Sequence, residues 1–243
     1  MTQTVFITGA SRGIGAALAQ AFAEAGYNLA LCGNQSTEQL YNLAERLSKE
    51  YGVRVLPLTG DIGNHPTAVS MVETALRTFG NIDVLINNAG IAHIGLLSDM
   101  SIDEWNRIVS VNLTAAFSTC KAVIPSMVHR KSGKILNISS VWGNVGASCE
   151  VAYSACKGGL NAFTKALGKE LAPSNIQVNA IACGVIDTDM NACFSEEERQ
   201  ELAEEIPAGR FGTAQEVARL ALSLVNGNDY LTGQIITLDG GWT

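Results

Sequence analysis

Basic side chains are scarce in this sequence. Lysine and arginine number 16 against 23 acidic residues, so the net charge at neutral pH is −7. Nucleic acid and anionic membrane surfaces both need a basic patch, and this balance argues against either as the main partner. The six cysteines (Cys32, Cys120, Cys149, Cys156, Cys183, Cys193) include no CxxC pair and no Cys/His metal spacing. They read as free thiols of a cytoplasmic protein, with no metal site. No apolar run of membrane-spanning length is evident. The opening "MTQTVFITGA" lacks a basic stretch and a long apolar one, so no signal peptide is expected. Aromatics are few, at 6%, while glycine occurs 24 times. That pairing suggests helices and sheet with many tight backbone approaches.

Apolar residues make up 47% of the 243 and charged ones 16%, enough to bury a sizeable core. Short β-branched runs alternate with longer amphipathic ones. The strand candidates are "TVFITG", "NLALCG", "VRVLPLTG", "IDVLINNAG", "GKILNISS", "IQVNAIACG" and "GQIITLDGG". Helical spacing separates them, as in Leu18/Phe22/Ala25 and Leu40/Leu43/Leu47. This alternation predicts an α/β fold of the Rossmann type. Its doubly wound, mostly parallel seven-stranded sheet carries about six main helices on both faces. No linker divides residues 1–243, which read as a single domain. The acidic "SEEERQELAEE" (195–205) reads as an amphipathic helix with a solvated face.

Ligands of such sheets bind beyond the carboxyl ends of the strands, where this sequence collects small and polar residues. "TGASRGIG" (8–15) leaves the first strand and opens the first helix. Gly9 permits a sharp turn, Gly13 lets backbone approach a pyrophosphate, and Gly15 allows close packing. Ser11 and Ile14 complete the loop, and the helix N-terminus offers its N–H groups to phosphates. After the second strand, "LALCGNQST" has no acidic residue to hold a ribose 2′-hydroxyl. Arg12, with Asn34, Ser36 and Thr37, could instead meet a 2′-phosphate, which favours NADP(H). The alternative is that Arg12 points into solvent.

The ordered set of GxxxGxG, "NNAG" after the fourth strand, a serine after the fifth and "YSACKGG" (153–159) on the next helix resembles the "classical" short-chain dehydrogenase/reductases. The resemblance spans essentially the whole chain. Residues 205–241 are similar to the C-terminal region of 3-oxoacyl-acyl-carrier-protein reductases. It implies reduction of a carbonyl, a 3-oxoacyl thioester or related ketone. Dehydrogenation of a secondary alcohol, sugar, steroid or cyclic ketone is the alternative, and a non-catalytic NADP-binding sensor a remote one.

The resemblance assigns Tyr153 as proton donor, Lys157 as its partner, Ser140 to orient the carbonyl and Asn112 to a proton relay. Tyr153 and Lys157 stand four apart, on one helix face. A cation one turn away is expected to lower the phenol's pKa. "NISSV" offers two serines; the family's spacing selects Ser140 and leaves Ser139 as a structural hydroxyl. Asn112 is either the relay residue or a plain buried amide. Asn88, Ala89 and Gly90, after Asn87, flank the cofactor in the family. Asp61, with the Ile62 backbone, binds adenine there, or else makes a helix-capping turn. Gly184, Ile186 and Thr188 match positions beside the nicotinamide, and Cys183 replaces the family's usual proline. No cation near Cys183 in sequence suggests a reactive thiolate. Ser154 and Ala155 are expected to leave space by the cofactor, and Gly158 and Gly159 to admit another helix.

Substrate candidates are Ser140, Trp142, Glu150 and Tyr153, with Ile91, His93 and Val145 nearby. Residues 189–206 read as a lid, with Met190, Ala192, Phe194 and Leu202 on its inner face or in ordinary packing. Docking of an acyl carrier protein is weakened. Arg130-Lys131 could supply one basic spot, but "LAPSNIQV" (171–178) has no second. The family's habit implies a homotetramer through helices near 101–130 and 152–172.

Overall fold

The computed structural model describes residues 2–191 and 195–243, so Ala192, Cys193 and Phe194 lie outside it. All seven predicted strands form and share one sheet. They are β1 (Thr4–Thr8), β2 (Asn28–Gly33), β3 (Val55–Thr59), β4 (Val84–Asn87), β5 (Gly133–Ser140), β6 (Ile176–Cys183) and, last in the chain, β9 (Ile235–Leu238). Their order is β3-β2-β1-β4-β5-β6-β9, with every neighbouring pair parallel. The chain runs outward from β1 to β3, then returns to place β4 on the other side of β1. That reversal opens a crevice at the carboxyl ends of β1 and β4.

Strand alternation divides the core between the sheet's faces. Val5 and Ile7 pack with Leu18 and Phe22 of α1 (Gly13–Glu24), Leu40 and Leu47 of α2 (Thr37–Tyr51), and Val217 and Ala221 of α9 (Ala214–Val225). Phe6, between them in sequence, faces the other layer. It packs there with Val72 of α3 (His65–Phe79), Val123 and Met127 of α5 (Ala115–Arg130), and Leu171 of α7 (Val151–Leu171).

Three features escaped the sequence patterns. α4 (Ile102–Val109), a π turn (Ser110–Thr114) and α5 form one continuous helix, Ile102–Arg130, of 29 residues. By length and composition this helix could cross a membrane, contrary to expectation, because its apolar residues are interspersed with small polar ones rather than run together. Half of its most apolar stretch is buried within the structure. A two-residue parallel pair, β7 (Ile186–Asp187) with β8 (Gly212–Thr213), is too short for periodicity to reveal. A single-turn helix, α6 (Trp142–Val145), follows β5 directly. The acidic stretch forms α8 (Glu196–Glu205), capped by Ser195 and Glu198, with no residue fully buried.

Candidate active site

The loop after β1 is folded against the loop after β4. Gly9 has a φ of +66°, and a Cβ there would stand 2.8 Å from Ala89 Cα. The same approach is locked by hydrogen bonds. Asn88 Nδ2 donates to the carbonyls of Thr8 (2.9 Å) and Gly9 (3.0 Å). Thr8 Oγ1 accepts the N–H groups of Asn88 and Ala89, each at 2.9 Å. Thr8 thus organises the crevice, a role that the glycine motif it opens did not assign to it. A Cβ on Gly15 would overlap the Gly9 carbonyl. No side chain caps α1, whose N-cap is Arg12. Its first-turn N–H groups and dipole are therefore free to serve an anion, as a pyrophosphate site requires.

A cavity of about 530 Å³ runs from this loop to the start of α7. It is bordered by most of the predicted cofactor residues: Gly9, Ser11, Arg12, Gly13, Ile14, Gly15, Asn34, Asp61, Ile62, Asn88, Ala89, Gly90, Tyr153, Lys157, Gly184, Ile186 and Thr188. Ser140 borders it too, while Asn112, Trp142 and Glu150 do not. Gln35 and Ser36 line it after β2. Thr37 does not: its hydroxyl donates to the Asn34 carbonyl at 3.3 Å. Arg12 is an exposed side chain with Nε 3.7 Å from an Asp189 oxygen. Asp61 is held on both oxygens, by Arg107 Nη1 at 2.6 Å and the Gly63 N–H at 2.9 Å. Burial works to raise its carboxyl, but these two partners outweigh it and keep the acid below its ordinary range. Arg107 itself borders the cavity, and nothing local in the sequence marked it.

At the other end, Ser140 closes β5 while Tyr153 and Lys157 stand one turn apart on α7. Lys157 Nζ lies 5.4 Å from the centre of the Tyr153 ring. It is buried and donates to the Ile138 carbonyl at 2.8 Å. Burial lowers the Lys157 ammonium to about 8. The Tyr153 phenol moves the opposite way to expectation. Burial raises it, Cys183 and Glu150 add to the rise, and a hydrogen bond with Ser140 opposes it. Burial is the largest influence on the phenol and prevails there. The result is a tyrosine that keeps its proton across the neutral range.

Neighbouring side chains fix this geometry from behind. Ser139 Oγ donates to Asn161 Oδ1 at 2.6 Å, which makes it the structural hydroxyl. Asn137 on β5 accepts from Asn87 Nδ2 at 2.9 Å and donates to Thr164 Oγ1 on α7 at 2.8 Å. Thr119 on α5 donates to Asn87 Oδ1 at 2.6 Å. Asn112, in the π turn, donates to the carbonyls of Ile91 (2.9 Å) and Ile108 (3.0 Å). Gly90 leaves room between them: a Cβ there would meet Asn112 Oδ1 at 2.9 Å and Lys157 Nζ at 3.7 Å. Asn112 is thus a buried, satisfied amide placed behind the lysine.

Other expectations are corrected. Ser154 Oγ accepts the Ala147 N–H at 3.1 Å and Ala155 is exposed, so neither clears space at the cavity. Gly158 and Gly159 do admit neighbours. A Cβ on Gly158 would stand 3.4 Å from the Gly143 carbonyl, and one on Gly159 would stand 3.2 Å from Leu113. Lys157 reaches Cys183 through the fold, but burial dominates and pushes that thiol up to about 12, leaving it unreactive. Arg130 is committed to Asp83 at 2.8 Å and to the Ile82 carbonyl at 2.7 Å. Both partners precede β4, so within one chain this basic spot sits at the end of the sheet opposite Ser140.

A glycine cradle at an uncapped helix and a Ser/Tyr/Lys cluster at the far end of one cavity define a nicotinamide-dependent oxidoreductase. The residues fit that cofactor: the cradle closes on backbone, and the cluster meets the cavity where the nicotinamide half would lie. A family model, short chain dehydrogenase, matches residues 3–199, and the chain belongs to that family. It is 39% identical over 243 residues to an uncharacterized oxidoreductase of Bacillus subtilis, covering 100% of this chain and 99% of that protein. Identity to the 3-oxoacyl-[acyl-carrier-protein] reductase of Chlamydia trachomatis is 39% over 242 residues, covering 99% and 97%. The corresponding reductase of Aquifex aeolicus is 40% identical, covering 97% and 95%. Among solved structures, YwfH, an NADPH dependent reductase involved in bacilysin biosynthesis, superposes with a TM-score of 0.95 at 26% identity, covering 100% of this chain and 99% of that one.

Proposed function

We propose that this chain uses NADPH to reduce a ketone, a 3-oxoacyl thioester or related β-keto compound, to the alcohol. The convergence of Ser140, Tyr153 and Lys157 on the cavity that the glycine loop opens carries this reading. When bound, the cofactor supplies the hydride. Ser140 donates a hydrogen bond to the substrate carbonyl and sets it against Tyr153. The Tyr153 phenol, which burial keeps protonated, gives its proton to the oxygen as charge develops there. Lys157 holds the nicotinamide ribose hydroxyls and stabilises the phenolate left behind. Asn112 positions the lysine's surroundings and the relay that restores the proton.

The tether of Arg130 to Asp83, with no basic residue at Pro173-Ser174-Asn175, favours a free or coenzyme-A-linked ketone over a carrier-bound one. Residues 189–206 act as the lid, tied down by Arg199 to Asp187 at 2.7 Å. Exposed Phe117 and Val128 on α5 and Val151 on α7 offer apolar surface to the partners of a homotetramer working in the cytoplasm. Light scattering tests the assembly, and a stable monomer would refute it.

NADPH oxidation measured with acyl-carrier, acyl-coenzyme A, small β-ketoester and cyclic diketone substrates tests the reaction. Tight NADPH binding with no turnover of any of them would replace the reductase by a sensor. Arg12→Ala tests the cofactor. A charge-assisted contact with a 2′-phosphate is worth roughly one to two powers of ten in affinity. NADPH should weaken by that factor while NADH stays unchanged; an equal loss for both would remove Arg12 from the specificity site.

A further inference from the structure

Trp242 is next to last in the chain and belongs to no motif. Its ring packs against Trp142, with centroids 4.9 Å apart and planes at 57°. Trp142 adjoins the reacting groups, since its backbone N–H donates to Ser140 Oγ at 3.2 Å. The half-buried Glu150 is near enough for its charge to act on Tyr153. The tail is built in rather than frayed. The Asp239 carboxylate accepts the N–H groups of Gly241 (3.0 Å) and Thr243 (2.8 Å) and the Thr243 hydroxyl (3.0 Å). Gly184, on the cavity's border, lies so close that a Cβ would stand 2.7 Å from Asp239 Cβ. The Ala208 N–H, just past α8, donates to the Gly240 carbonyl at 3.1 Å.

We infer that Trp142 and Trp242, which lie beside Ser140 but outside the cavity that the glycine loop opens, form an aromatic wall for the substrate's far end, and that this wall selects ketones bearing a flat ring beside the carbonyl. The inference rests on the reading of Ser140 and Tyr153 as the carbonyl-reducing pair. Two indoles tilted at 57° offer flat apolar surfaces that a third ring meets edge-on or offset. A ring laid on such faces loses little rotational freedom, whereas a linear chain loses a rotamer at each bond.

The test compares ethyl benzoylacetate with ethyl acetoacetate, using NADPH and the full chain. Trp242→Ala should lower kcat/KM for the aryl ester about tenfold, mainly through KM, the size expected for one lost aromatic contact in a pocket. The linear ester should change less than about twofold because it leans little on the wall. Trp242→Phe, which keeps a ring, should retain most of the discrimination, and thermal melts of both variants check folding. Quenching of the remaining tryptophans by benzoylacetate in the presence of NADP⁺ reads binding without turnover, and should weaken about tenfold in Trp242→Ala. Equal losses for both esters, no loss for either, or no quenching at all would overturn the wall. Quenching that depends on Trp242 without turnover of either ester would sink the reductase reading and leave the wall standing.

Discussion

Tyr153→Phe should slow ketone reduction by about 10²–10⁴-fold, the usual contribution of a positioned acid, and leave NADPH affinity essentially unchanged. The substitution deletes one hydroxyl and keeps the ring that packs at 5.4 Å from Lys157 Nζ. Among the described side chains at the cavity's end, Ser140 is already assigned to orienting the carbonyl. Stopped-flow hydride transfer and a fluorescence titration with NADPH separate the two effects. Near-normal turnover in the variant would remove Tyr153 from the chemistry.

Lys157→Met should lose about a hundredfold in kcat/KM or more, as an acid deprived of its charged partner does, and it carries a pH signature. In the wild-type enzyme, kcat/KM for reduction should fall as pH rises through about 8, where the ammonium is lost. The variant should show no such fall. Stability moves the other way. The folded lysine is lowered to about 8 from an ordinary 10.5, so a buried charge burdens the fold fully below pH 8. Between those values the unfolded chain binds more protons, and stability rises with pH. Cofactor-free Lys157→Met should therefore melt higher than wild type at neutral pH, at roughly 2–4 °C per kcal/mol for a chain of this size. The gap should close as pH climbs towards 10. A gap independent of pH would mean that the lysine is buried neutral or not buried at all.

The sheet and the cofactor crevice were legible because their signals are local. A strand shows its period within a few residues, the glycine loop joins one strand to one helix, and Tyr153 and Lys157 share a helical turn. Contacts that need the whole fold left no trace. Asp61 and Arg107 are 46 positions apart and meet only once the chain is folded. Trp242 reaches Trp142 only through the return of β9 beside β6. The π turn looks like any helix to a period count, and the pKa of Tyr153 depends on depth, which no spacing encodes. The expectation of a depressed phenol failed for that reason. A cation's pull follows from distance, but the burial of the phenol itself penalises the phenolate and prevails.

The amide and hydroxyl ties behind the site have a consequence for how such a protein can diverge. Asn137 to Thr164 and Ser139 to Asn161 fix α7 against β5 by side chains other than the reacting Ser140, Tyr153 and Lys157. A purely apolar contact would let the helix slide by a fraction of a turn at little energy, and the Tyr–Ser geometry would drift with it. With the height of the helix set from the rear, the surfaces in front are released from any duty to hold it. Trp142, Glu150, the residues of α8 and the last few of the chain are then free to be exchanged singly while Ser140, Tyr153 and Lys157 stay in place.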